Sequence, residues 1–125
     1  MDHRTKRPVF LNLFLIRLPV GGVVSILHRV SGVVLALSLP LAMWSWGRLL
    51  AGPEAFAPLR GFWSAGWGRA LLWLLAVALA FHFLAGLRHL LLDLDLGVER
   101  GAARRGAWAV LLLTPLLLAG LWLWA

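Results

Sequence analysis

His82, Arg88 and His89 sit in the run from Phe81 to Asp93, and their types and spacing define the chemistry open to this chain. The 18 residues from Ala70 to Leu87 carry a single ionisable side chain, His82. A hydrophobic run of that length spans a bilayer, where an ionisable group is costly enough to mark a functional site. Neutral imidazole offers a nitrogen lone pair, the donor that a haem iron or a metal ion accepts. The alternative is a packed polar residue, hydrogen-bonded to a neighbouring helix.

On a helix, His82, Gly86, His89 and Asp93 share one face, at offsets of 0, 4, 7 and 11. Gly86 removes side-chain bulk one turn from His82, so that a flat macrocycle or another backbone could press there. A haem along this face would bond iron through His82 and turn its carboxylates towards Arg88 and His89. A second set, Ser25, His28, Arg29 and Gly32, has offsets of 0, 3, 4 and 7. Arg29 lies a turn or two inside the same apolar run and calls for an anion or a polar cavity. With the Ser25 hydroxyl it could polarise a quinone carbonyl or hold a haem propionate. The competing reading has Arg29 snorkelling to lipid headgroups, with Ser25 and His28 facing water. Asp93 and Asp95 are proton-handling candidates or solvated acids. For a second axial ligand within the chain, His28 is the candidate at membrane depth. His89 shares the helix of His82 and cannot reach the opposite face of the same haem, and spacing alone leaves a His28–His82 pair open.

The elements that must position these groups follow from composition. Of 125 residues, 62% are hydrophobic, which places the chain in the membrane class. The absence of cysteine excludes iron–sulfur clusters, thiolate-bound haem, covalent haem attachment and disulfides within this chain. The formal charge of +7 comes from basic residues flanking apolar runs, a membrane-topology pattern and not a nucleic-acid face. Neither a signal peptide nor an Arg- and Ser-rich transit sequence is apparent, which favours a bacterial inner membrane.

Three apolar runs predict an all-α integral membrane protein whose three transmembrane helices form part of a heteromeric bundle. The approximate spans are 22–48, 65–92 and 106–125, in a single membrane-anchor domain. Ala51 to Ser64 reads as one loop and Asp93 to Arg105 as another. Arg4, Lys6, Arg7, Arg17, Arg100, Arg104 and Arg105 outweigh Arg48, Arg60 and Arg69 around the first loop. The positive-inside rule therefore predicts a cytoplasmic N-terminus and second loop. Trp44, Trp46, Trp63, Trp67, Trp122 and Trp124 would all fall at the opposite interface, where indoles prefer to lie.

Arg7-Pro8-Val9, then Ser25-Ile26-Leu27-His28-Arg29-Val30-Ser31-Gly32, then His82-x-x-x-Gly86-x-Arg88-His89 with Asp93 resembles the succinate dehydrogenase cytochrome b556 family of membrane anchors across essentially the whole chain. The resemblance implies that His82 is an axial ligand of haem b, with the other axial histidine supplied by a second small membrane-anchor subunit. It implies that Ser25 and Arg29 line a quinone site beside an iron–sulfur subunit, and that His28, Arg29 and His89 lie near the haem propionates. Asp93 matches an acid at the cytoplasmic end of the second helix. FAD and the iron–sulfur clusters would reside in partner subunits, the flavoprotein oxidising succinate and the iron–sulfur protein relaying electrons to quinone. On this reading the chain is not a complete enzyme, and it needs its partner anchor and membrane lipid to fold. The alternatives are a haem-free structural anchor and the anchor of a quinol:fumarate reductase.

Overall fold

A computed structural model describes residues 18–124. Four helices follow one another: α1 (Val20–Leu50), α2 (Pro53–Ser64), α3 (Gly66–Asp93) and α4 (Arg100–Trp124). Three of them, with 31, 28 and 25 residues, are long and apolar enough to cross a membrane. At 1.5 Å per residue even the shortest extends about 38 Å, beyond a hydrocarbon core of roughly 30 Å. Pro40 and Pro115 remain inside continuous helices, as membrane helices allow. The Arg7-Pro8-Val9 element and the basic residues Arg4, Lys6, Arg7 and Arg17 lie outside the described residues, as does Ala125.

The first connection is not a loop. Gly52, at φ 102°, ends the turn after α1, and Pro53 opens a 12-residue helix in which Leu59 is buried. Proline at the first helical position surrenders no hydrogen bond there, and glycine just before it takes the left-handed backbone. The pair that reads as a break is thus a helix stop followed by a helix start. Ala65 is extended, and α3 then turns back so tightly that a Cβ on Gly68 would collide with the Phe62 carbonyl oxygen. Phe62 meets the rings of Trp44, Trp63 and Trp67 at centroid distances of 5.6, 5.0 and 4.2 Å, clamping α2 against its neighbours.

The second connection is shorter than the sequence indicates. It runs only from Leu94 to Glu99, with left-handed Asp95 and Gly97, because Arg100, Arg104 and Arg105 belong to the first turns of α4. Asp93 closes α3 and is exposed.

The three long helices meet at Val24, Phe81, Ala85, Ala107 and Val110, flanked by Val20, Leu84 and Leu111. Small residues at such a junction let backbones approach closely, the usual way that helices pack in lipid. Only 11% to 17% of the apolar stretch of each long helix is buried inside the chain. Leu37, Met43 and Leu123 are 75%, 74% and 86% exposed. In water such a surface would be untenable; against lipid and a further helical subunit it is the expected outer face.

Candidate functional site

The site is assembled where α1 crosses α3. On α1, fully buried Val24 and buried Ser31 mark the inward stripe, and His28 lies between them, one turn from each. On α3, buried Phe81 and Ala85 face the three-helix core, and His82, Gly86 and His89 lie on the adjoining seam with α1.

Each histidine rests over a glycine of the opposite helix. A Cβ on Gly32 would sit 3.0 Å from Cε1 of His82, and one on Gly86 would sit 3.4 Å from Nε2 of His28. These two glycines let the imidazoles enter the seam and stack, with centroids 4.1 Å apart and planes inclined by 22°. His89 adds a third ring, tilted by 40° at 5.1 Å from His28. The helical spacing of His82, Gly86 and His89 therefore produces the shared face expected of it, and His28 and Gly32 come from the facing helix.

The hydrogen bonds fix the tautomer of His82. Its Nδ1 lies 3.1 Å from the His28 carbonyl oxygen and 3.1 Å from Ser31 Oγ. A carbonyl oxygen only accepts, so Nδ1 carries the proton. The Ser31 hydroxyl donates to that same His28 carbonyl at 2.8 Å, which leaves its lone pairs to accept from Nδ1–H. With Nδ1 protonated, the neutral ring keeps its lone pair on Nε2, the atom that can bind a metal. Ser31 thus joins the site by hydrogen bonding, a contact that helical-face reasoning did not single out, although it stands in the Ser25–Gly32 run.

His28 is less complete. Its Nε2 is buried and has no hydrogen-bond partner among the described residues. The stacked His28 and His82 rings are in van der Waals contact face to face. Among the described residues no group of three or more His, Cys, Asp or Glu converges as a metal-binding cluster.

Arg88 is adjacent to His89 in sequence but points elsewhere. It passes between Gly21 of α1 and Gly106 of α4, where added Cβ atoms would lie 3.4 Å from Nη2 and 3.6 Å from Nε. Its Nη2 donates to the Ala103 carbonyl at 3.1 Å, tying α3 to α4. With Arg100, Arg104 and Trp108 it lines a cavity of about 780 Å³ that neither Ser25 nor Arg29 borders. Ser25 is half-buried on α1, while Arg29 is exposed, off the stripe that packs on α3. The two predicted quinone contacts are therefore not gathered with the imidazoles inside this chain.

The sequence matches, over residues 3–121, the family described as succinate dehydrogenase/fumarate reductase transmembrane subunit. It is 36% identical over 122 residues to the succinate dehydrogenase cytochrome b556 subunit of Coxiella burnetii, covering 95% of this chain and 98% of that one. It is 32% identical over 109 residues to the subunit so named in Paracoccus denitrificans, covering 87% and 84%. The corresponding subunit of Rickettsia bellii is 28% identical over 117 residues, covering 94% and 91%.

Proposed function

The chain belongs to the succinate dehydrogenase/fumarate reductase transmembrane subunit family, and we propose that it is the haem-bearing anchor of a bacterial succinate:quinone oxidoreductase. As a multi-pass membrane anchor of that family it works with other subunits. The reading adds haem b, shared with a second small anchor that supplies the opposite axial histidine, and a quinone site next to the iron–sulfur subunit. A flavoprotein subunit would hold the FAD and oxidise succinate. The protein would lie in the bacterial inner membrane with its N-terminus cytoplasmic.

The observation that carries the proposal is the commitment of His82 Nδ1–H to the His28 carbonyl, which leaves Nε2 as an unprotonated donor inside a membrane-spanning helix. The residues fit a haem in two further respects. His28 Nε2 is a buried polar atom without a partner among the described residues, and an unsatisfied polar atom costs free energy until something meets it. With His89 beside it, this edge suits a propionate. Gly32 and Gly86 keep the seam clear of side-chain bulk around both rings.

Bound haem would supply a one-electron carrier within the membrane. His82 would hold the iron, and His28, Arg29 and His89 would meet its carboxylates. Ser25 would donate a hydrogen bond to a carbonyl of the quinone substrate. The Arg29 guanidinium would offset the negative charge that develops on that oxygen during reduction, the logic of preorganised donors. Asp93, exposed at the end of α3, would exchange protons with the cytoplasmic side. The relatives are named as succinate dehydrogenase subunits, and this reading takes succinate oxidation as the direction, within a family that also includes fumarate reductase.

The test is a reduced-minus-oxidised optical spectrum of the purified complex, wild type beside His82→Ala. A low-spin b-type signal that disappears or turns high-spin in the variant supports the proposal. A wild-type complex with no haem signal would reduce the chain to a structural anchor.

A further inference from the structure

We infer that Ser31 is a positioning residue for the iron ligand: by accepting a hydrogen bond from His82 Nδ1–H, its hydroxyl sets the donor strength of His82 Nε2 and so the redox potential of the haem. This rests on the haem reading above.

Ser31 is one of the few buried polar side chains among the described residues, only 6% exposed, and lies on the stripe of α1 that faces α3. A serine in a helix can satisfy its hydroxyl on the carbonyl three residues back, and Ser31 does so with His28 at 2.8 Å. That bond uses its only proton and turns its lone pairs outward, and Nδ1 of His82 stands 3.1 Å away. The His28 carbonyl, already receiving the serine proton, receives the imidazole proton too at 3.1 Å. One carbonyl and one hydroxyl thus share a bifurcated donor, with the hydroxyl oriented by the same carbonyl. Gly32 completes the cradle: its missing Cβ leaves Cε1 of His82, the carbon next to Nδ1, room to lie against α1.

The electronic consequence follows from charge. Each acceptor that draws on Nδ1–H raises electron density in the ring and makes Nε2 a stronger donor. A stronger donor favours ferric over ferrous iron and lowers the midpoint potential. Removing the serine oxygen leaves the His28 carbonyl as sole acceptor. The tautomer is kept and the ligand stays in place, so the effect is a change of potential with retention of haem.

The experiment is a redox titration of the haem in the assembled complex, with low-temperature EPR of the ferric state, for wild type, Ser31→Ala, Ser31→Cys and Ser31→Thr. The Ala and Cys variants are expected to keep haem at wild-type stoichiometry, with the midpoint moved upward and the low-spin signal shifted. Thr, which retains the hydroxyl, is expected to behave like wild type. Cys keeps the size of the side chain but accepts hydrogen bonds weakly, so it carries the test if Ala disturbs assembly. An unchanged midpoint and EPR signal in whichever of these two variants assembles with haem overturns the inference while leaving the haem reading intact. Absence of haem from the wild-type complex overturns the haem reading itself.

Discussion

Two seams run along α3, and they are built on opposite terms. The seam with α4 is closed by the chain's own atoms: Ala85 and Ala107 are fully buried, Phe81 and Val110 nearly so, and Arg88 reaches across to the Ala103 carbonyl. Its one loose end among the described residues is Arg88 Nε, beside a satisfied Nη2. The seam with α1 is polar and unfinished. Three imidazoles gather over two glycines, Nδ1 of His82 is doubly accepted, and Nε2 of His28 is buried with no partner among the described residues. The contrast separates a seam whose groups are nearly all met within the chain from one that keeps a buried imidazole nitrogen unmet among the described residues. Burying the His28 edge without a partner costs stability, and the proposed haem would offset that cost.

That distinction can be broken by substitution on each side. The largest effect is expected from Gly32→Val. Its Cβ would already meet His82 Cε1 at 3.0 Å and its two methyl groups add bulk beyond that, so the ring is pushed off its seat, and haem content of the purified complex should fall to near zero by haemochrome assay. Retention of full haem would show that the seam tolerates bulk and does not cradle the ligand. Next comes Arg29→Ala. Loss of one charged donor at a developing oxyanion costs on the order of 100-fold in rate. Succinate:quinone reductase activity should drop by about that factor, with succinate-to-dye activity unchanged. A parallel loss of both activities would assign Arg29 to assembly.

On the closed seam the effects should be thermodynamic. Ala85→Leu overpacks a fully buried position, which typically costs about 1–3 kcal/mol. The thermal midpoint of the complex should fall, while the haem spectrum of the assembled fraction stays that of wild type. Arg88→Leu removes a charge-assisted bond worth about 1.5–3 kcal/mol along with the guanidinium that had to be buried to make it. These two terms oppose each other, so the net loss should be smaller than for Ala85→Leu. A spectral change in either variant would mean that the two seams are coupled.

Much of the site was legible in the sequence, and the missing parts share a cause. Three long apolar runs and the i, i+4, i+7 spacing of His82, Gly86 and His89 survive in any membrane helix, because length and period do not depend on the partner. What periodicity could not settle was which face of α1 turns inward. In lipid the outer face is as apolar as the inner one, so hydrophobicity carries no inside-outside signal. The face drawn through Ser25, His28, Arg29 and Gly32 is therefore rotated from the true stripe of Val24, His28 and Ser31, and Ser31 went unassigned. The α2 helix was hidden for a different reason. Gly52 and Pro53 signal a break, and only the backbone reveals that the break separates two helices. Arg88 and His89, neighbours in sequence, were expected at one basic end, but a helix turns about 100° per residue and sends them to different seams.

The most direct test of the central claim, that His82 Nε2 is the iron ligand on the unfinished seam, is chemical rescue. His82→Gly leaves a ring-shaped space beside Gly32 and Gly86. The purified variant complex should lack the low-spin b-type spectrum and regain it, saturably, when imidazole is added. A variant with the wild-type low-spin spectrum before any imidazole is added would contradict the account, because some other group would then be holding the iron.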